Sequence, residues 1–547
     1  MTLHQDRKIW GWGLSTYCVP PPLLDVARAF LSARLGQELP PPRPVPTLDT
    51  LTMPPPLRPI PHELADLATT DRFERALHTY GKSFRDVVRA LDGDFAGAPD
   101  WVAFPRSEAD LVRILALADR EHVAVIPFGG GSSVVGGITA DAETRAHYSA
   151  VLSLDLGHLN QLLEVDRESR CVRVQAGTYG PALEQQLRPH RYTLRHYPQS
   201  FEFSTVGGWI ATRAGGHFAT LYTHIDDLLQ SLRMVTPQGI VQTRRLPGNG
   251  AGPEPNRLLL GSEGALGVIS EAWLRVQDLP RFRASCVVRF PSFAAGAAAC
   301  QRLSQSGLYP ANARLIERDE ALFMGAGDGE THILVLGFES ALESQKDKLH
   351  SALSLCTALG GQPGRPKVRD EDHADPAASD EAAEQWKQSF VRAPYLRDEL
   401  VRLGLCCETF ETCTTWANFP RLDAAVRAAA QAVLDAECGG GVLTCRFTHL
   451  YPDGPAPYYT VIGLPQPGQQ LACWDAVKAA VSQALLDCGA TITHHHAVGK
   501  DHRRFYERQV GPLSLQMLRA AKGAVDPFGI MNPGTLLPAL CSTKEKT

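Results

Sequence analysis

The sequence predicts an α+β fold, in which two main domains follow an N-terminal helical extension. From about Trp101 to Pro280, short apolar runs alternate with segments of helical periodicity. From about Arg281, strand and helix patterns come in pairs, which predicts a second α+β domain. Three turns rich in glycine and small residues lie in the first region. The expected division is an N-terminal extension at residues 1–97, a first domain at residues 98–280 and a second domain at residues 281–500. A C-terminal segment at residues 501–547 is expected to return to the first domain.

The bulk composition is that of a globular protein and excludes several classes. The 547 residues are 44% hydrophobic and 21% charged, with a formal net charge of -5, so we expect no nucleic-acid partner. The 13 cysteines show no CxxC pair, which favours reduced thiols. The N-terminus lacks the apolar core of a secretory signal, and the C-terminus is not a peroxisomal address. These observations predict a cytoplasmic protein and leave attachment to a membrane surface open.

The extension has two predicted parts. An amphipathic helix is expected over Leu23–Leu35. The proline-dense stretch Leu39–Pro61 cannot sustain a helix, because proline lacks the backbone N–H and clashes with the preceding turn. We expect it to run extended over a surface.

The first domain is expected to alternate helices and strands around a glycine-rich turn at Gly129–Gly137. The predicted helices are Asp110–Glu121 and Pro181–Leu187, and the predicted strands are Val123–Pro127, Ala150–Leu154 and Cys171–Ala176.

The second domain is expected to contain a hairpin and a mobile insertion. The polar, proline-bearing segment Gln362–Ala383 predicts the insertion. The pattern predicts a hairpin of two strands, Gly441–Tyr451 and Tyr458–Gly463, joined by the turn Pro452–Pro457. The other predicted elements are the strands Ala284–Phe290 and His332–Gly337 and the helices Phe293–Ser306 and Leu422–Glu437.

The first glycine-rich turn, PFGGGSSVVGG at residues 127–137, follows a predicted strand. Consecutive glycines expose a row of backbone N–H groups without side chains in the way, which suits a pyrophosphate. Alone, such a run is more often a flexible loop. It is not a Rossmann nicotinamide motif, because the required strand-helix spacing and ribose-binding acid do not follow.

Two further small-residue segments accompany that turn. HYPQSFEFSTVGGWIATRAGG occupies residues 196–216, and GSEGALGVIS occupies residues 261–270. Three such loops in this order can wrap one long dinucleotide, whereas their alternative interpretation is three ordinary turns.

These loops resemble those of the vanillyl-alcohol-oxidase-type flavoproteins, and within that fold the chain resembles the alkyldihydroxyacetonephosphate synthase family. The synthase likeness includes IDDLLQSLRMVTPQG after the second loop, WGWG at residues 10–13, YGKSFRDVVRAL, ETFET at residues 408–412 and THHHAVGK at residues 493–500. It covers nearly the whole chain, and the three-histidine motif is its most specific part. The resemblance implies a two-subdomain FAD-binding domain, an α+β cap domain for substrate, and a homodimer.

The resemblance also implies which residues contact FAD. No histidine lies in the glycine loop, so we expect noncovalent flavin. The implied contacts are Pro127, Phe128, Gly129, Gly130, Gly131, Ser132, Ser133, Gln199, Ser200, Phe201, Glu202, Phe203, Ser204, Thr205, Thr212, Arg213, Ala214, Gly215, Gly261, Ser262, Glu263, Gly264, Ala265, Leu266 and Gly267.

The resemblance assigns proton transfer to Tyr458, a residue that could otherwise be a packing tyrosine; Tyr459 is expected on the opposite face. It assigns proton shuttling and substrate orientation to His494, His495 and His496. The alternative interpretation is a histidine run on the surface with neither role. Adjacent histidines cannot all point one way, so we expect no metal site from this run. Arg397 is expected to bind a substrate phosphate, although an exposed helical arginine paired with Asp398 or Glu399 is the ordinary alternative.

The implied reaction exchanges the acyl chain of acyl-dihydroxyacetone phosphate for a long-chain alkyl group, through an adduct at flavin N5, in ether lipid synthesis. Lipid reactants imply an apolar tunnel and peripheral contact with a membrane. Two residues depart from the family's pattern: Gln199 stands where the family has an acidic residue, and His449 stands where a smaller residue or an amide is expected. The alternative function is therefore an FAD-dependent oxidoreductase acting on a 2-hydroxy acid or related alcohol. A non-catalytic flavin-binding protein is a third interpretation.

Overall fold

The computed structural model describes residues 4, 6–325, 327–370 and 381–539. The described residues form three larger β-sheets with helices packed against them, which confirms the α+β prediction. None of the described helices is long and apolar enough to cross a bilayer.

The predicted N-terminal helix is present as α1, Pro21–Leu35. It starts two residues earlier than predicted because proline is well tolerated in the first turn of a helix. Its buried side chains Ala27 and Leu31 pack against Leu396 and Leu400. The proline-dense stretch that follows contains no strand longer than a single bridge and only the short 3-10 helix Leu48–Thr50, so most of it is extended as predicted.

The first sheet has the strand order β1-β2-β4-β3, and its last three strands are parallel. Parallel strands end at a common edge, and here Phe128 at the end of one strand pairs with Asp155 at the end of its neighbour. The glycine loop leaves the sheet at this edge. The elements of this region are β1 Ala68–Thr69, α2 Arg72–Leu77, α3 Phe84–Leu91, β2 Trp101–Ala103, α4 Glu108–Glu121, β3 Val123–Phe128, α5 Ala142–His147 and β4 Ala150–Asp155.

The second sheet is antiparallel, with the order β5-β6-β10-β8-β9, and β7 and β11 form a separate pair. Its elements are β5 Leu162–Asp166, β6 Cys171–Gln175, α6 Gly180–Leu187, β7 Tyr192–Thr193, α7 Val206–Thr212, α8 Ile225–Leu228, β8 Leu229–Thr236, β9 Gly239–Gln242, α9 Pro255–Leu259, β10 Val268–Arg275 and β11 Gln277–Asp278.

The third sheet is antiparallel, with the order β15-β12-β14-β13-β18-β19-β17, and β16 also pairs with β12. Its elements and the helices that follow are β12 Phe282–Phe290, α10 Phe293–Ser304, β13 Asn312–Ile316, α11 Arg318–Phe323, β14 His332–Ser340, α12 Lys346–Ala358, β15 Gln362–Pro363, β16 Lys367–Arg369, α13 Glu381–Arg402, β17 Cys406–Glu411, α14 Phe419–Cys438, β18 Val442–Leu450, β19 Pro455–Gly463, α15 Gln470–Asp487, α16 Arg503–Val510 and α17 Pro512–Val525.

Two predictions in this region were wrong in part. The hairpin is present, but β19 begins at Pro455 rather than at Tyr458, because Pro455 and Pro457 fit a strand that offers their carbonyl groups to its neighbours. The first residues of the predicted insertion form β15 and β16 against the edge of β12. Residues 371–380 of that segment lie outside the described part, and α13 starts immediately after them.

The C-terminal residues pair with the first sheet. The N–H of Val125 donates to the carbonyl of Ile530 and the N–H of Asn532 donates to the carbonyl of Val125, each at 2.8 Å. The C-terminal segment therefore returns to the first sheet, whereas the boundaries of the predicted domains stay a prediction.

Candidate active site

The glycine loop after β3 lies directly against the second small-residue segment. A Cβ atom at Gly130 would overlap the carbonyl of Phe203, and one at Gly129 would overlap the hydroxyl of Thr205. Gly131 has a φ of 69°, a conformation that favours glycine. The loops therefore approach each other only because side chains are absent, and they form a cradle of exposed backbone, a kind of surface that suits a pyrophosphate.

Most of the expected FAD contacts line one cavity, and several do not. Ala265 and Leu266 are buried in hydrophobic clusters, and Arg213 forms an ion pair with Asp226. The expected contacts that line the cavity are Pro127, Phe128, Gly129, Gly130, Gly131, Ser132, Ser133, Gln199, Ser200, Ser204, Thr205, Thr212, Ala214, Gly215, Ser262, Glu263, Gly264 and Gly267. Those outside the lining are Phe201, Glu202, Phe203, Arg213, Gly261, Ala265 and Leu266.

The start of the chain supports this cradle, a role that the sequence did not predict. Arg7 donates to the carbonyl of Gly130 at 2.8 Å. The Nε2 atoms of His4 and His78 lie 2.9 and 2.8 Å from one carboxylate oxygen of Asp155, next to the loop. These contacts fix the loop from the side of the extension.

Because the cradle has no room for a Cβ atom, Gly130→Ala is expected to yield protein without bound flavin. The measurement is the ratio of flavin absorbance to protein absorbance after purification. Gly523→Ala in α17 is the matched control, since nothing lies within 4 Å of a Cβ there. A Gly130→Ala protein as yellow as the control would contradict this assignment.

Tyr458 lies between two charged residues of the third sheet. The strand register places Arg446 of β18 and Glu411 of β17 opposite it. The guanidinium carbon of Arg446 is 3.9 Å from the centroid of the Tyr458 ring. Burial raises the pKa of Tyr458, although Arg446 and a hydrogen bond with Thr409 act against this rise. Tyr459 is buried in the core on the opposite face, as predicted.

The three-histidine segment is organised by a buried carboxylate. Glu411 accepts the backbone N–H groups of all three histidines, at 3.0 Å for His495 and 2.6 Å for His496. His495 and His496 line the cavity, where their rings lie 6.1 and 5.5 Å from the Tyr458 ring. His494 lies behind them. Burial lowers the pKa of His495 to about 3, so its imidazole is neutral at physiological pH.

His449, the unexpected residue of β18, belongs to the same cluster. Its nitrogens lie 3.1 Å from the hydroxyl of Thr448 and 3.2 Å from the carbonyl of Gly216. Nitrogens of His449, His494 and His495 lie within 4.8 Å of one another, a distance that alone would allow a metal ion. Their hydrogen bonds account for most of these nitrogens, so the absence of a metal stays our prediction.

Arg397 lines the cavity, but its charge is partly neutralised. Its guanidinium donates to Asp398 at 2.6 and 3.2 Å and to the carbonyl of Lys82 at 2.7 Å. Lys82 lines the same cavity, and burial lowers the pKa of its ammonium group to about 8. The structure therefore adds Lys82 as a second cation that could face an anionic group.

The same cavity has an apolar part. Tyr458, Thr460 and Ile462 alternate on the cavity face of β19, so the cavity follows this strand away from the phenol. Its apolar lining comes from α1, the end of α11, α13 and the hairpin: Phe30, Phe323, Met324, Leu396, Leu400, Val442 and Ile462. Helix α1 covers this part, where the Phe30 and Phe323 ring centroids are 5.5 Å apart.

Two family models match the chain. The FAD binding domain matches residues 99–244, and the C-terminal domain of FAD linked oxidases matches residues 279–536. The first match shows that the chain carries an FAD-binding domain.

Named relatives of the chain include enzymes of two kinds. An alkyldihydroxyacetonephosphate synthase from Dictyostelium discoideum is 30% identical over 501 residues, which cover 88% of this chain and 80% of the relative. The mitochondrial D-lactate dehydrogenase [cytochrome] of Arabidopsis thaliana is 26% identical, with coverage of 87% and 78%.

Solved structures agree with the sequence relatives. A crystal structure of an alkyldihydroxyacetonephosphate synthase has a TM-score of 0.79 and 26% identity, with coverage of 97% of this chain and 99% of that one. p-Cresol methylhydroxylase shares the fold alone, with a TM-score of 0.65, 12% identity and coverage of 94% and 96%. The chain therefore belongs to the alkyldihydroxyacetonephosphate synthase family of FAD-binding flavoproteins.

Proposed function

We propose that this protein exchanges the acyl chain of acyl-dihydroxyacetone phosphate for a long-chain alkyl group, with FAD bound noncovalently. One observation carries the proposal. A glycine cradle, a buried tyrosine with neutral histidines, and an apolar channel line the same cavity. This combination suits a reaction that joins a polar phosphate ester to a fatty alcohol.

The residues that we propose to hold FAD are the lining residues of the three loops, with the pyrophosphate against Gly129–Gly131. When bound, FAD supplies a ring that can accept and return an electron pair. The residues around it orient the reactants and exclude water, since the cavity walls are largely buried.

The protein's own groups bind phosphate and move protons. Tyr458 keeps its proton at neutral pH because burial raises its pKa, so it can act as a proton donor. Neutral His495 beside it can accept a proton. Arg397 and Lys82 are the cations that we assign to the substrate phosphate.

A single assay tests the reaction and its main rival. Purified protein is incubated anaerobically with palmitoyl-dihydroxyacetone phosphate and labelled hexadecanol, without an electron acceptor. Label in an ether-linked product, with equimolar palmitate released, supports the synthase reaction. An oxidoreductase would instead transfer no label, and a 2-hydroxy acid would bleach its flavin with stoichiometric oxidation of that acid.

We also propose that the protein contacts a membrane from the cytoplasmic side. The outer face of α1, which covers the apolar part of the cavity, exposes Leu23 at 39% and Val26 at 63%. Lipid reactants could enter there. Co-sedimentation with phosphatidylcholine and phosphatidylglycerol vesicles tests this, and a Leu23→Ser, Val26→Ser variant that sediments like the wild type would exclude this face.

A homodimer is proposed from the family alone. Sedimentation equilibrium of the purified flavoprotein, which has a chain mass of 59.5 kDa, distinguishes monomer from dimer.

A further inference from the structure

We propose that Tyr451 conducts a proton between the cavity and the protein surface, by way of His494 and His495. This inference rests on the reaction proposed above. That reaction replaces an uncharged ester group by an uncharged ether group, consumes an alcohol and releases a fatty acid that is ionised at neutral pH, while the substrate phosphate is unchanged. One proton must therefore leave a largely buried site in each turnover.

The three side chains form a continuous hydrogen-bonded chain. The hydroxyl oxygen of Tyr451 lies 2.8 Å from Nε2 of His494. Nδ1 of His494 lies 3.0 Å from Nδ1 of His495. Of these three residues, only His495 lines the cavity, and because its Nδ1 faces His494 we assign its Nε2 to the reactant.

The outer end of the chain approaches solvent. The Tyr451 hydroxyl lies 3.2 Å from the hydroxyl of Thr223 and 3.5 Å from Nδ1 of His224. The side chains of Tyr451 and His224 are both partly exposed. A proton that reaches Tyr451 can therefore pass to water or through these two neighbours.

The chemistry of neutral imidazoles gives the chain two arrangements. Burial lowers the pKa of both His494 and His495, so each ring carries one N–H and one acceptor nitrogen. In the first arrangement, His495 donates from Nδ1 to His494, and His494 donates from Nε2 to Tyr451. The Nε2 of His495 then offers a lone pair to the cavity. In the second, every bond is reversed, and the Nε2 of His495 offers a proton.

Passage from the first arrangement to the second removes one proton from the cavity without leaving a charged ring. The alcohol O–H bond breaks as its oxygen forms the ether C–O bond, and the proton joins Nε2 of His495. The Nδ1 proton of His495 moves to His494, the Nε2 proton of His494 moves to the Tyr451 oxygen, and the original hydroxyl proton of Tyr451 leaves outward. The fatty carboxylate departs with the electron pair of the broken ester C–O bond. Rotation of the hydroxyl and re-entry of a proton in the opposite direction reset the chain.

Tyr451→Phe tests this role because it removes the outer oxygen and keeps the ring. We expect the turnover number for exchange to fall by about 10-fold or more, with the KM for the alcohol within about twofold of wild type. The ratio of turnover in H2O to that in D2O should increase as proton release becomes limiting. Small amines such as imidazole should restore part of the rate. Tyr148→Phe is the control, since its hydroxyl bonds to the carbonyl of Gly529 and it does not line the cavity.

The outcomes separate the two proposals. Flavin absorbance and the thermal unfolding midpoint identify a variant that has simply lost its fold, and His494→Asn then serves as a second break in the same chain. If wild type exchanges alkyl chains while both folded variants match its rate and isotope effect, the relay is wrong and the function stands. If wild type shows no exchange, the proposed function is wrong and the relay falls with it.

Discussion

Tyr458→Phe is expected to lower the rate of alkyl exchange by at least about 100-fold while FAD stays bound, because loss of a general acid or base typically has effects of this size. The phenol lies beside His495 and His496 on the cavity wall, and Phe fills the same space without a transferable proton. The measurement is the exchange rate at saturating substrate, together with the flavin spectrum.

Tyr459→Phe is the matched control for this experiment. It removes a hydroxyl from the adjacent residue of the same strand, on the face away from the cavity, where it donates to Asp423 at 3.0 Å. We expect near-normal turnover from that variant. Undiminished exchange by Tyr458→Phe would remove the proton-transfer role that we assign to this residue.

Glu411→Gln is expected to destabilise the protein by about 3 kcal/mol at pH 7, in the range for breaking a buried charged network. The carboxylate accepts several N–H groups of the histidine segment, and an amide NH2 in its place would face donors. The backbone N–H groups of the histidine segment hold the pKa of Glu411 well below its usual range despite its burial. Chemical denaturation measures the loss, and exchange activity should fall with it.

The contribution of Glu411 to the stability of the protein should depend on pH in a definite direction. Since the folded pKa of Glu411 is depressed, its contribution is present above the unfolded pKa of about 4.3 and is lost as pH falls below it. The stability difference between wild type and Glu411→Gln should therefore shrink from about pH 5 downwards. The control substitution Glu168→Gln, at an exposed residue, should leave the free energy of unfolding unchanged over this pH range. A stability difference between wild type and Glu411→Gln that stays constant over the same range would contradict the assignment.

Local patterns predicted several of the helices and strands and the three small-residue loops, whereas the expected FAD contacts came from the family resemblance. The glycine runs predicted a binding loop because consecutive glycines expose the backbone N–H groups, and this depends only on residues adjacent in the sequence. Tyr458 and the histidines were available only through family resemblance, and the structure places them together. Residues such as Glu411, Arg446 and Tyr451 gave no local indication. Their importance depends on strand register and on contacts between distant segments, which periodicity does not encode.

The errors have similar causes. The end of the hairpin turn was predicted at Pro457, three residues too late, because prolines usually interrupt strands, whereas here Pro455 and Pro457 lie within β19. The segment before residue 371 was predicted to be mobile from its polarity, but edge pairing with β12 orders it. Polar composition does not prevent a short edge strand, since its backbone can still pair.

The contacts of His4 and Arg7 have a consequence for biosynthesis. His4 and Arg7 are synthesised before their partners Asp155 and Gly130, which lie more than a hundred positions later in the chain. The segment that carries them must therefore wait undocked until the first sheet has been made. A deletion that removes His4 and Arg7 would leave the completed sheet without this support for the glycine loop.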